Sequence, residues 1–306
     1  MHAPGHDEEE DGVGLMRSLL FVPGDSEKKL EKGFSSEADV VIVDLEDSVS
    51  AENKTSARRI AAGFISTLTD GPTVYVRVND LSTGLTDDDL AALVPAKPAG
   101  IMLPKSNGGA DVQQLSVKLR VQEAENGLPD GSIAILPIIT ETAAGVLAAA
   151  SYAGAGTRLA GLTWGAEDLS AAIGARTARD GRGVYTDVFR LARTMTLLAA
   201  SAAETAAIDT VYPNFRDMDG FRRECEGAER DGFTGKMAIH PAQVPVINEA
   251  FTPSPEATAH AAAVVDAFRA AGNPGVVAID GQMYDRPHLR RAERLLARAK
   301  AAGVLA

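Results

Sequence analysis

The 306-residue chain is predicted to fold as an α/β protein, a (β/α)8 TIM barrel followed by a C-terminal helical extension. Three observations predict it. Eight short apolar runs are bounded by turn residues, the pattern of parallel strands buried on both faces. Helix-like segments alternate with them, which implies parallel pairing through helical crossovers. The eight units occupy roughly 230 residues, close to the span of about 250 typical of a closed barrel.

The apolar runs are Ser18 to Pro23, Val40 to Leu45, Thr73 to Val78, Gly100 to Pro104, Ala134 to Ile139, Gly161 to Gly165, Asp209 to Tyr212 and Lys236 to Ile239. A first helix, Ser26 to Phe34, follows a Pro-Gly-Asp turn that offers Asp25 or Ser26 as N-cap. Ala51 to Leu68 carries Ala, Ile and Leu at helical spacing, and Ala110 to Asn126 stops before Gly127. Ala143 to Tyr152, Val184 to Ala206 and Met218 to Asp231 complete the crossovers. Pro253-Ser254-Pro255 then breaks the pattern. Thr258 to Ala271 is an Ala-rich helix ending at Gly272, and the apolar piece Gly275 to Ile279 leads into an Asp280-Gly281 turn. Asp285 caps a last helix, Pro287 to Ala301, with proline in its first turn. The predicted organisation is a disordered acidic tail over 1–14, a barrel over 15–252 and an extension over 253–306.

Composition narrows the function. A net charge of −12 argues against nonspecific binding to nucleic acid or an anionic membrane, although a local basic pocket can still take an anionic ligand. One cysteine, Cys225, excludes a disulfide framework or a cysteine metal site within one chain. No run approaches the ~18 to 20 apolar residues of a membrane span. The acidic Met1 to Gly14 segment is the opposite of a signal peptide's basic start, so a cytoplasmic protein is expected.

Acids recur at the ends of the apolar runs. Asp44-Leu45-Glu46-Asp47 follows Val40 to Val43, Glu141 follows Ala134 to Thr140, and Glu167-Asp168 follows Gly161 to Ala166. The carboxyl ends of barrel strands form one rim, so these acids should converge there. Glu141 and Asp168 on adjacent strands would suit a hard cation such as Mg2+, which takes oxygen ligands and keeps several waters. The competing explanation is helix capping, since acids are common in a helix's first turn. Arg77 either pairs with Glu46 or Asp47 or holds a substrate oxygen, and both roles can coexist. Lys105 could form a Schiff base or an ion pair with a rim acid, the second being the better reading. Lys28 and Lys29 either meet phosphate or lie on a solvated face. His240 stands alone, with no second histidine at metal-ligand spacing. The chain has no P-loop, and Leu159 stands where the third glycine of a dinucleotide fingerprint after Gly154 and Gly156 would be. A Gly-x-Ser-x-Gly elbow is also missing.

Taken together, several segments resemble the citrate lyase β-subunit-like branch of the HpcH/HpaI aldolase superfamily. They are Arg17-Ser-Leu-Leu-Phe-Val-Pro-Gly24, Asp44-Leu-Glu-Asp47, Arg77-Val-Asn79, Leu103-Pro-Lys105, Glu141-Thr142, Trp164-Gly-Ala-Glu-Asp-Leu169 and Ile239-His-Pro-Ala-Gln243. The resemblance runs from about Arg17 to the end. It implies a barrel enzyme, trimeric or hexameric, that uses Mg2+, or Mn2+ in its place, to break or form a carbon–carbon bond. The bond joins an acyl-thioester enolate to a 2-oxo acid, as in malyl-CoA or citramalyl-CoA giving acetyl-CoA and glyoxylate or pyruvate. On this resemblance Glu141 and Asp168 are the direct metal ligands, and Glu46 and Asp47 hold the metal's waters. Arg77 binds the oxygen where charge develops, and the backbone N–H groups of Ala166, Glu167 and Asp168 receive the substrate carboxylate. By position, Arg17 and Lys28 would contact coenzyme A.

Asp280-Gly-Gln-Met-Tyr-Asp285-Arg-Pro287 resembles the lid of malyl-CoA and citramalyl-CoA lyases. There an aspartate at the position of Asp285 is the acid/base, delivered from a neighbouring subunit. To act as an acid near neutrality it would have to be desolvated and its pKa raised. Three other readings compete: a citrate lyase β subunit that needs carrier-protein partners, a malate-synthase-like enzyme or thioesterase on the same scaffold, and a phosphate-binding barrel isomerase. The last is weakened by Tyr212-Pro213-Asn214-Phe215 standing where a Gly-rich phosphate loop would follow the seventh strand.

Overall fold

Each apolar run becomes a strand because both of its faces are covered, one by the barrel interior and one by helices. A computed structural model describes residues 15–305; the tail expected over 1–14 lies outside the described residues. The chain runs β1 (Ser18–Pro23), α1 (Glu27–Phe34), β2 (Val40–Asp44), α2 (Lys54–Ser66), β3 (Thr73–Arg77), α3 (Thr86–Leu93), β4 (Gly100–Leu103), α4 (Gly109–Glu125), β5 (Ala134–Pro137), α5 (Ala143–Leu147), β6 (Gly161–Thr163), α6 (Ala166–Ala172) and α7 (Asp187–Ala202). It continues through β7 (Ala206–Asp209), α8 (Met218–Asp231), β8 (Gly235–Ala238), α9 (Val244–Phe251), α10 (Pro255–Ala270), β9 (Val276–Ile279), β10 (Gln282–Asp285) and α11 (Arg286–Ala301).

The first eight strands are parallel, in the order β5-β4-β3-β2-β1-β8-β7-β6. The two ends of that row meet through parallel bridges Ile135↔Leu159 and Ile138↔Thr163, which brings the sheet round into a nearly closed barrel. Alternation sorts the side chains. Leu19, Ile42, Tyr75, Met102, Leu136 and Met237 fill the barrel interior. Leu20, Val41, Val43, Ile101, Leu103 and Leu162 point outward into the larger core beneath the helices. This two-sided burial is what the unbroken apolar runs encode.

Three differences from the sequence expectation have physical causes. The strand expected at Asp209 to Tyr212 lies at β7, three residues earlier. The Ala-rich stretch favours helix by propensity, but α7 stops at Ala202 and Glu204 takes a left-handed conformation (φ 53°). Pairings Gly161↔Ala206 and Asp209↔Lys236 then place the alanines in the sheet. Three helices were not read from the sequence: α3, α6 and α9. α3 opens on three consecutive aspartates and is held by tertiary contacts. Arg58 donates to buried Asp89 at 2.6 Å, and Asp89 accepts from the backbone and side-chain nitrogens of Asn79. Finally, β10 appears beyond the Asp280-Gly281 turn. Both turn residues have positive φ (50° and 78°), the geometry of a tight two-residue hairpin.

α10, the β9–β10 hairpin and α11 share an apolar cluster of their own, built on Val264, Phe268, Val277 and Leu289. One polar link ties α11 back to the barrel helices, Arg298 to Glu229 at 3.4 Å. Among the described residues, no helix is long and apolar enough to cross a membrane.

Candidate active site at the carboxyl rim

The acids do converge. β2 ends at Asp44 and β3 at Arg77, opposite each other in register. Arg77 donates from Nε and Nη2 to the two oxygens of Asp44, both at 2.7 Å, a bidentate clamp. Its Nη1 lies 3.0 Å from Glu46 and 3.7 Å from Asp47, and its guanidinium sits over the Phe21 ring at 4.8 Å. Sequence reasoning paired Arg77 with Glu46 or Asp47; both are near, but the principal partner is Asp44. Burial would raise the Asp44 pKa, and the Arg77 bonds outweigh it, so this carboxyl is held below its usual range. Burial disfavours the Arg77 charge, but the three surrounding acids keep it fully protonated.

Lys105 follows β4 in a left-handed conformation (φ 51°). That turn aims its ammonium into the acids. It pairs with Glu46 and lies 3.7 Å from Asp47 and 3.4 Å from Asp168. Desolvation lowers its pKa, but Glu46 and the other acids more than reverse this, so it stays a cation. The ion-pair reading of Lys105 therefore holds; a lysine kept protonated is a poor Schiff-base nucleophile.

Glu141 lies between β5 and the N-cap of α5, buried at 3% exposure. One oxygen accepts the Lys105 backbone N–H. A side chain at Gly165 would put its Cβ 2.7 Å from Glu141 Cγ, so this glycine makes the space Glu141 occupies. Burial, then the charge of Asp168, pushes the Glu141 pKa up to about 8. Asp168 stands in the first turn of α6 with Glu167, beside buried Ala166. Glu46 is buried at 5% exposure, and burial raises its pKa despite Arg77 and Lys105. Its Oε2 is near Arg77 but receives no hydrogen bond, leaving a buried oxygen without a donor. Asp47 is more open, with a side chain 56% exposed. Beside Lys105 is a cleft of ≈ 370 Å3 lined by Asp80, Ser82, Asn107, Gln114 and Thr142.

These residues fit a hard divalent cation. Burial and the like charge of Asp168 favour the protonated form of Glu141, and a cation would supply the counter-charge that its ionised form lacks. The orphaned Glu46 oxygen suits a donor such as a metal-held water. Among the described residues no group of three or more His, Cys, Asp or Glu forms a ready cage. Two protein carboxylates with the remaining positions left to water or substrate are characteristic of Mg2+ rather than of zinc.

The other expected residues fall elsewhere. Arg17 precedes β1, at the opposite end of the barrel. Asp39 takes its Nε and Nη2 at 2.9 and 2.8 Å, and Nη1 donates to Thr252. A structural anchor thus stands where a coenzyme contact was expected. Lys28 is exposed in the first turn of α1, on the rim side. His240 caps a short turn after β8 and stacks on Phe215. Asp285 caps α11, as expected; among the described residues its carboxylate has polar partners only in the backbone and ring of His288, and none at the rim. The His288 bond holds its carboxyl below the usual range, opposite to the direction an acid would need. Three residues gained no role from the sequence: Asp44, Gly165 and His288. For Asp44 the signal was available, since it and Arg77 end adjacent apolar runs of equal length.

Fold and rim together define a class, barrel enzymes that work from the carboxyl ends of their strands through converging acids. The chain belongs to the HpcH/HpaI aldolase/citrate lyase family, whose pattern matches residues 17–241. It is 36% identical over 290 residues to (3S)-malyl-CoA thioesterase of Cereibacter sphaeroides, covering 93% of this chain and 95% of that protein. It is 33% identical over 293 residues to the mitochondrial citramalyl-CoA lyase of Rattus norvegicus, covering 92% and 85%. Among solved structures it is similar to CitE of Mycobacterium tuberculosis in complex with magnesium, acetoacetate and coenzyme A. The TM-score is 0.76 at 36% identity, covering 94% of this chain and 99% of that one.

Proposed function

We propose that this protein is a Mg2+-dependent carbon–carbon lyase acting on a 3-hydroxy-acyl-CoA whose hydroxyl-bearing carbon also carries a carboxylate. Malyl-CoA and citramalyl-CoA are the substrates of first choice, giving acetyl-CoA with glyoxylate or pyruvate. The observation that carries the reading is buried Glu141, beside Asp168 and short of counter-charge. Glu141 and Asp168 would hold Mg2+, or Mn2+, with Glu46 and Asp47 on its waters. The bound ion would supply Lewis-acid polarisation of the substrate oxygens.

The chain's own groups do the rest. The first-turn N–H groups of Ala166, Glu167 and Asp168 receive the substrate carboxylate. Arg77, fixed by Asp44, turns Nη1 towards the oxygen on which charge develops. As the carbon–carbon bond breaks, its electron pair passes to the thioester enolate while the hydroxyl proton passes to solvent, from which Asp285 is reprotonated. Asp285 returns a proton to the enolate carbon, so none is consumed overall. Residues 253–306 act as a lid over a neighbouring subunit's rim. Two features support a homotrimer or hexamer: among the described residues no polar contact links Asp285 to its own rim, and α7 exposes Val188, Leu191 and Leu198 in one stripe. Lys28, exposed in the first turn of α1, would meet the coenzyme's phosphates. A cytoplasmic setting belongs to the same reading.

Hydrolysis is the second reading, favoured by the thioesterase among the relatives. A product assay decides. The purified protein is given malyl-CoA and citramalyl-CoA, each with Mg2+ or with EDTA. Metal-dependent release of acetyl-CoA and a 2-oxo acid is expected. Free malate or citramalate would establish hydrolysis instead. No turnover on either ester would remove the stand-alone lyase and leave a β subunit that needs a carrier protein.

A further inference from the structure

The lid acid is not alone. Every recorded contact of the Asp285 carboxylate falls on one oxygen, Oδ1. The ring Nδ1 of His288 lies 2.5 Å from it, and the His288 backbone N–H reaches it at 3.4 Å. Among the described residues no polar contact falls on Oδ2. A nitrogen and an oxygen 2.5 Å apart must share a proton, because two lone pairs at that distance would repel. Nδ1 also lies 3.3 Å from the Asp285 backbone N–H, which would require it to accept. The two bonds demand opposite states of one nitrogen, and the shorter one decides for Nδ1–H as donor to the carboxylate.

We infer that His288 is the positioning residue of the lid acid: its Nδ1–H holds Oδ1 of Asp285 and leaves Oδ2 as the oxygen that exchanges a proton with the substrate carbon. This rests on Asp285 being the acid/base. Packing supports a fixed pair. Asp285 is the N-cap and His288 the third residue of α11, and the next residue, Leu289, is buried in the cluster of the C-terminal unit. The Tyr284 ring meets the His288 ring edge-on at 5.4 Å. From α10, the element packed against this corner, His260 faces Tyr284 at 5.9 Å. Among the described residues, Asp285 forms an ion pair with His288 alone. The imidazole also lowers the Asp285 pKa, which widens the pH range over which the carboxylate is ready as a base.

The test is the pH profile of kcat in the condensation direction for wild type, H288A, H288N and D285N. Asparagine places an amide N–H near the position of Nδ1 without a titratable ring. D285N should lose about a hundredfold or more of activity. H288A should lower kcat about tenfold and move the acid limb upward, with KM for the CoA ester and Mg2+ affinity unchanged. H288N should recover most of the loss. An active D285N would remove Asp285 as the acid/base, and the inference with it. A dead D285N beside an H288A with wild-type rate and profile would overturn the role of His288 alone. Equal losses in H288A and H288N, matched by a lower melting temperature, would reduce His288 to a helix cap and also overturn it.

Discussion

Two buried glutamates mark the two ends of β5, and they are treated in opposite ways. Glu123, in the last turn of α4, reaches the amino end of the strand. Arg158 grips it through two bonds of 2.7 and 2.6 Å, and the backbone N–H groups of Gly131 and Ile133 complete its shell. Burial would raise its pKa; the partners more than reverse that and push it down to about 2. Glu141, just past the carboxyl end, has one backbone donor and a like-charged neighbour, and its pKa rises to about 8. One strand thus joins a completed ion pair to an unfinished one. In barrels the amino face is given to stability and the carboxyl rim to chemistry. Here that division is visible as charge compensation, and the missing compensation at the rim is what a divalent cation would supply.

The largest expected effect is catalytic. Glu141→Gln should abolish Mg2+ binding and lower kcat about a thousandfold, about 4 kcal/mol of charge stabilisation. Metal-free, its melting temperature at pH 8 should equal or exceed that of wild type, because a repelled buried charge is gone. Glu123→Gln should do the reverse. Arg158 keeps the more exposed Asp130, at 2.7 Å, as its charged partner, so the loss should be about 1 to 3 kcal/mol, while Mg2+ affinity of the folded fraction stays unchanged. Isothermal titration and thermal melts on both variants check this. A Glu123 variant that loses metal with no loss of stability would break the comparison.

Titration sharpens it. The folded pKa of Glu141, about 8, stands above the ordinary value of 4.5. The folded state then binds more protons than the unfolded one, so metal-free stability falls as pH rises from about 4.5 to about 8. Added Mg2+ should cancel that fall, and the Mg2+-induced gain in melting temperature should grow over the same window. Glu123 has the opposite sign. Its contribution is complete above the ordinary value of 4.5 and is lost as pH falls towards about 2. Melts with EDTA or Mg2+ from pH 3 to 9 separate the two glutamates. A Mg2+ effect independent of pH would remove the proton from Glu141.

A smaller effect is expected at Gly165, whose role is to leave room. Its φ of −123° suits any residue, so Gly165→Ala carries no backbone strain. The added Cβ instead displaces Glu141 from 2.7 Å, and Mg2+ affinity should fall about tenfold or more.

The barrel was legible because parallel strands are apolar on both faces and leave long runs in the sequence. The rim was legible for a related reason: the first polar residue after each run stands at one end of the molecule. Glu46, Asp47, Glu141 and Asp168 could be placed that way before any contact was known. The seventh strand could not, because Ala206 and Ala207 suit a helix as well as a sheet and only the neighbours on both sides decide. Glu123 was hidden for a different cause. A glutamate near a helix end is ordinary on a surface, and the arginine that buries it lies 35 residues away. The Asp285 cap could be read from Asp-Arg-Pro, but the ring of His288 turning back on it could not, since helical spacing gives neighbours and not side-chain direction.

Arg17 is the residue on which the comparison of the two ends bears last and most lightly. Its position at the start of a family-like motif suggested a coenzyme contact, whereas its guanidinium is held at the amino end by Asp39 and Thr252. Its side chain is 18% exposed and that of Asp39 only 9%, so removing the arginine strands a nearly buried carboxylate. Arg17→Met keeps much of the aliphatic packing and should cost about 1 to 3 kcal/mol of stability, measured by urea unfolding. KM for the CoA ester should not change if binding is confined to the carboxyl rim. A tenfold rise in KM with unaltered stability would place coenzyme contacts at the amino end of the barrel and end the division of labour that Glu123 and Glu141 describe.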